Sequence, residues 1–205
     1  MKNILILFIL FCSPIVLSQG YEIILYDASI NEFDVFGDDS YETNNRSEAD
    51  IIPKVQPGVT VTSKAEPDGA DKFEAKNLID GNMHSCWLSA GDGKNDQIEI
   101  IIDLEEFPWS GGQIKFIYFY NGWRKDLHTW KDYSRVKKMT LSINDMPYAE
   151  INFEDTYKQQ SIDIDKLKIE KNRRCKLKFR VVDVFPGKKV NQVAISDIQI
   201  IGKVK

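Results

Sequence analysis

Between Lys137 and Asn144 apolar and polar residues alternate: Met139, Leu141 and Ile143 are separated by Lys138, Thr140 and Ser142. Successive side chains of a strand point to opposite faces, so this period of two predicts a strand with one face on a core and one in water. Asn144 and Asp145 are residues that tolerate tight-turn backbone, and Tyr148 to Phe153 is the predicted hairpin partner. Leu177, Phe179 and Val181 alternate with Lys176, Lys178 and Arg180 in the same way. Ile98 to Leu104 and Ile114 to Tyr120 lack polar alternation, which predicts strands covered on both faces. Ala194 to Ile201 closes a set of about eight short strands, an all-β pattern that predicts a sandwich of two antiparallel sheets. Only Asp163 to Asn172 has any helical option, and its Ile164, Leu167 and Ile169 fit a turn-rich connection almost as well.

Before this region the pattern is different. Met1 to Ser18 combines Lys2, an apolar run from Ile4 to Phe11, and small side chains at Val16 and Ser18, the features of a secretory signal cleaved before Gln19. A retained N-terminal anchor is the alternative, although the run is short for a membrane span and is broken by Pro14. A lipoprotein attachment at Cys12 is a weaker reading, because bulky Phe11 precedes it. Tyr21 to Tyr26 reads as a short strand, and Gly37 to Asp50 is too polar to bury a core, which predicts a linker. Asn45, Arg46 and Ser47 form a glycosylation sequon. The expected organisation is therefore a signal at 1–18, an N-terminal strand and linker at 19–58, and one sandwich domain at 59–202. The expected location is outside the cytoplasm, secreted or periplasmic.

The sequence holds 27 basic and 31 acidic residues, and losing Lys2 with the signal leaves 26 against 31, a net charge near −5. That mild acidity argues against a nucleic-acid partner and against an anionic membrane surface. Cys86 and Cys175 would remain after export, an even pair that either forms a disulfide or stays as two buried thiols. For catalysis the sequence offers only His84 and His128, no Gly-x-Ser-x-Gly elbow and no phosphate-binding glycine loop. Adjacent acids such as Glu105 and Glu106 would point to opposite faces of an extended chain and could not flank one glycosidic bond. The expectation is a non-catalytic protein.

Ala75-Lys76-Asn77-Leu78-Ile79-Asp80-Gly81-Asn82, followed by Ser85 and Trp87, resembles a characteristic segment of discoidin domains, the coagulation factor five/eight type C domains. Four further runs follow in order: Asn121 to Lys125, Ser134 to Lys138, Asp183 to Lys188, and Ala194 to Ile198. Together they are similar to the version joined to secreted bacterial NAD glycohydrolases as a translocation domain. The resemblance spans Val59 to Gly202 and implies a galactose-binding-like jelly roll with a binding or targeting role and no enzyme activity. Family members more often carry Tyr at the position of Trp123 and Glu at that of Asp197. In related carbohydrate-binding domains the matching loop and final-strand acid hold a structural Ca²⁺, which here would fall to Asp80, Asn82, Ser85 and Asp197. A calcium ion takes about six to eight oxygens, and two carboxylates are a thin set; the other reading is an Asx-turn that fixes the loop. Trp87 matches a family position that packs inside.

The candidate ligand site is the aromatic and basic stretch containing Tyr120, Trp123, Arg124, Trp130 and Arg135. Indole rings stack on the apolar faces of sugars while guanidinium groups pair with hydroxyls, and the same groups anchor protein interfaces. The rings could equally be packed into the end of the sandwich. On the binding reading, Trp123→Ala removes most binding and leaves the fold intact, whereas Trp87→Ala unfolds it. Lys176, Lys178 and Arg180 with Lys188 and Lys189 read as a solvated basic face. Two functions follow: recognition of a glycan or glycosylated surface through loops at one end of the sandwich, or docking of a separately encoded enzyme or toxin.

Overall fold

Asn144 and Asp145 adopt left-handed backbone, with φ of 50° and 65°, and so close the expected hairpin between two strands of opposite direction. The computed structural model describes residues 24–27, 29–30, 58–94, 97–104, 113–164 and 174–203, with only the backbone described for 24–27, 29–30, 113 and 202–203. The signal at 1–18, the polar linker, the sequon, Glu105 and Glu106, and most of the helical option after Ile164 lie outside the described residues.

Eleven strands are described: β1 (Ile24–Asp27), β2 (Ser29–Ile30), β3 (Gly58–Val61), β4 (Trp87–Leu88), β5 (Glu99–Leu104), β6 (Gln113–Asn121), β7 (Tyr133–Ile143), β8 (Met146–Asn152), β9 (Gln160–Asp163), β10 (Cys175–Phe185) and β11 (Val190–Lys203). Among the described residues one helix, α1 (Leu127–Asp132), which the sequence pattern did not predict, and a 3₁₀ turn at Ala75–Leu78 join them. Pairing defines two sheets, β1-β8-β7-β10-β5-β3 and β2-β9-β6-β11-β4. They meet where the start of β11 runs parallel to the start of β7, through Val190 and Val193 beside Tyr133 and Ser134. The expected all-antiparallel order is thus broken twice, there and where β1 runs parallel to β8.

The inner faces supply the core. Met139 and Leu141 of β7, Leu177, Phe179 and Val181 of β10, and Ile117, Phe119 and Ile198 of the opposite sheet are buried as their alternation requires. Phe119 joins the sheets by edge contacts, its ring centre 5.1 Å from Phe153 and 5.4 Å from Phe179. Trp87 is fully buried, and its indole Nε1 donates to the Ser63 carbonyl at 2.9 Å, which satisfies the one polar atom it brings inside.

Two strands differ from expectation. In β5, Ile100, Ile102 and Leu104 are buried while Ile101 is half-buried, so one face is open rather than both covered. In β6, Phe116 and Tyr118 lie half-buried and stacked, with centres 6.0 Å apart, opposite the buried Ile117 and Phe119. Apolar outward residues in these strands reflect the β propensity of branched and aromatic side chains, not a third layer. Cys86 and Cys175 are free thiols in separate clusters: Cys86 packs with Phe73 and Leu88, Cys175 with the main core. Burial pushes the Cys175 thiol up to about 11, with Asp103 adding to it. Burial likewise raises Cys86 far above the usual thiol range. Both thiols are therefore inert packing groups, the second of the two readings of the pair.

Candidate functional site

Loops from β6, β7 and β11 meet at one end of the sandwich, and there the five residues expected to form an aromatic and basic platform come together. At the end of β6, the buried Asn121 amide donates to the Val136 carbonyl at 2.7 Å and accepts from the Val136 amide at 2.9 Å, tying the loop to β7. Gly122 then takes φ of 83°, and a Cβ there would collide with the Trp130 ring. Only glycine lets the backbone pass so close to that indole, whose Nε1 donates to the Asn121 carbonyl at 2.8 Å. Asp126 caps α1 by accepting from the Thr129 amide at 2.7 Å, and this helix carries Trp130 to its place.

The platform itself is not exposed. Tyr120, Trp123, Arg124, Trp130 and Arg135 are each at most 6 % exposed. The physical reason is that the sandwich end must be closed, and these rings and guanidinium planes are stacked on one another to close it. Arg124 lies between Tyr120 and Tyr157, 4.9 and 4.5 Å from their ring centres. Arg135 covers Trp130 at 4.5 Å and pairs with both carboxylate oxygens of Asp155 at 2.8 and 3.0 Å. Trp123 donates through Nε1 to the His84 carbonyl at 3.0 Å and packs edge-on against Phe73 and Tyr133. Of the two readings of Trp123, the packed one describes the structure: it is buried, as Trp87 is.

The residues assigned to an ion are also gathered, but they turn on each other. One Asp80 oxygen accepts from the Asn82 amide at 2.8 Å and the other from the Ser85 hydroxyl at 2.8 Å, an Asx-turn that Gly81 permits with φ of 72°. Asp197, fully buried on β11, accepts from the Gly81 amide at 3.3 Å and from Gln199 Nε2 at 2.9 Å. Burial, with help from Asp80, raises its carboxyl to about 6 against the opposing pull of these hydrogen bonds. Among the described residues no three His, Cys, Asp or Glu side chains form a group that could hold a metal. The Asp80 and Asp197 oxygens accept hydrogen bonds that hold the loop.

A depression of about 360 Å³ lies beside this end. Ala65, Phe73, Leu88 and Tyr133 supply its apolar lining, and Lys64, Glu66, Asp68 and Gln192 its polar one. Its lining is the outer side of the small cluster in which Trp123 packs, so the buried indole holds Phe73 and Tyr133 in place from behind. Asp68 and Asp71 exchange backbone hydrogen bonds of 3.1 and 3.0 Å, and Gly69 with φ of 59° makes that tight turn beside it. Tyr133 and Trp123 share one stretch of chain, but Phe73, Glu66 and Asp68 come from a polar loop at least fifty residues earlier. No local pattern links the two stretches, which is why the depression was not legible in the sequence.

Comparison with known proteins agrees with this architecture. CpGH89CBM32-5 from Clostridium perfringens, in complex with GalNAc-β-1,3-galactose, superposes with a TM-score of 0.50 at 15% identity, covering 73% of this chain and 97% of its own. A putative chitobiase fragment from Bacteroides thetaiotaomicron gives 0.55 at 16% identity, covering 80% and 98%. An F5/8 type C domain from Bacteroides fragilis gives 0.51 at 11% identity, covering 73% and 93%. No curated protein matches the sequence. These similarities and the sheet order define the class, a discoidin-like β-sandwich. Within that class, the family described as NAD glycohydrolase translocation F5/8 type C domain matches residues 53–201, and the chain belongs to it.

Proposed function

We propose that this protein is an exported, non-catalytic module that binds a glycan in the depression lined by Phe73 and Tyr133. The observation that carries the reading is the lining itself: the half-buried Tyr133 ring for the apolar face of a sugar, with carboxylate, amide and ammonium groups beside it for hydroxyls. Tyr120, Trp123, Arg124, Trp130 and Arg135 then serve recognition indirectly, by holding the wall of the site. Binding of a disaccharide by one protein of the same fold supports the reading. The test is a glycan array followed by calorimetry on the best ligand. Tyr133→Ala and Gln192→Ala are each expected to weaken binding at least about tenfold, or 1.4 kcal/mol, with near-parental circular dichroism. Variants that bind like the parent, or an array without signal, would refute it.

The family's description as a translocation domain favours a second reading, docking of a separate enzyme or toxin. A partner that co-elutes with the protein and is unaffected by Tyr133→Ala would favour docking over the glycan site.

A further inference from the structure

We infer that the depression selects a glycan bearing a free amino group and rejects acidic sugars, a specificity that rests on the glycan reading above. The charges around the site carry the inference. Lys64, the basic residue in its lining, is already engaged by Glu74, with Nζ 3.3 Å from the carboxylate. Asp71, on the turn beside it, is matched by Lys125 at 3.5 Å, and Asp132, next to Tyr133, by Lys189 at 2.8 Å. Glu66 and Asp68 have no ion-pair partner among the described residues, and both are exposed in the lining.

The site therefore presents two unmatched carboxylates beside the half-buried ring of Tyr133, with the buried Phe73 behind it. An ammonium group is complementary to both, since it pairs with carboxylates and is attracted to ring faces. A uronic or sialic acid would instead bring a like charge to Glu66 and Asp68. Burial raises the phenol of Tyr133 above its usual range, followed by Cys86 and then by Asp68, Asp71 and Asp132. Exposed carboxylates contribute modestly, so the selectivity is a ratio of affinities and not an absolute gate.

The experiment compares three oligosaccharides of equal length on the full chain at about pH 6, where a sugar amine is protonated: a glucosamine oligomer, its N-acetylated counterpart and an oligogalacturonate. The glucosamine oligomer is expected to bind about three- to tenfold tighter than the acetylated one, a preference that shrinks as salt is raised. The double variant Glu66→Gln, Asp68→Asn should bring that ratio close to one. Equal binding of both neutral and amino oligomers by the parent overturns the selectivity and leaves the glycan reading standing. A preference unchanged in the double variant, or tighter binding of the oligogalacturonate, overturns it as well. Binding of none of the three, together with a silent array, overturns both readings.

Discussion

Asp197 is a carboxylate placed where water does not reach, and its stability effect has a definite sign. Its folded value of about 6 lies above the ordinary 3.8, so the folded state holds the proton more tightly than the unfolded chain. The stabilising contribution is fully present below the unfolded value and is lost as pH rises through about 6. Asp197→Asn should remove this dependence, and above pH 6 it should raise stability by an amount on the order of 2 kcal/mol or less, because two hydrogen bonds to the carboxylate are weakened. Denaturant midpoints of parent and variant across that range measure it; parallel curves would show that Asp197 titrates normally. The two tryptophans form a second case. Trp87→Ala and Trp123→Ala should both destabilise, each by about 3–5 kcal/mol, because both empty a packed site. Thermal melts that leave Trp123→Ala at the parental midpoint would contradict the packing of its indole.

At the scale of elements, alternation was a good guide to strands and a poor one to covering. The hairpin of β7 and β8 follows directly from its pattern and from Asn144 and Asp145. Alternation also placed Leu177, Phe179 and Val181 inward. It failed for β5 and β6, where apolar residues on the open face mimic a doubly covered strand. The loop after β6 shows how an element end depends on one residue. Gly122→Ala must either displace the Trp130 ring or bend the backbone away from φ of 83°, and both damage the Asn121 and Trp130 hydrogen bonds. A loss of about 2 kcal/mol or more is expected, read from urea unfolding. A variant as stable as the parent would mean that the loop repacks freely.

For the molecule as a whole, the Asp80 loop links the 3₁₀ turn to β11, and it is closed by its own hydrogen bonds. A ligand that prefers the folded state would raise stability by mass action. We therefore expect the melting temperature of the full chain to be the same in chelator and in millimolar calcium. A fall in chelator, abolished by Asp80→Ala, would show that the loop opens to take an ion.

The period of two, the turn residues and the order of short motifs were sufficient to place this chain among two-sheet sandwiches and within its family, because those signals are local and survive reading one segment at a time. Which side of an aromatic loop faces solvent is not local. Tyr120, Trp123, Arg124, Trp130 and Arg135 carry the composition of a binding surface, and only their mutual stacking at the open end of the sandwich turned them inward. The depression needed still more, since its rings and acids are brought together by contacts between distant stretches. Sequence thus determined the strands and the kind of residue available, and tertiary packing decided which of them was left with a free face.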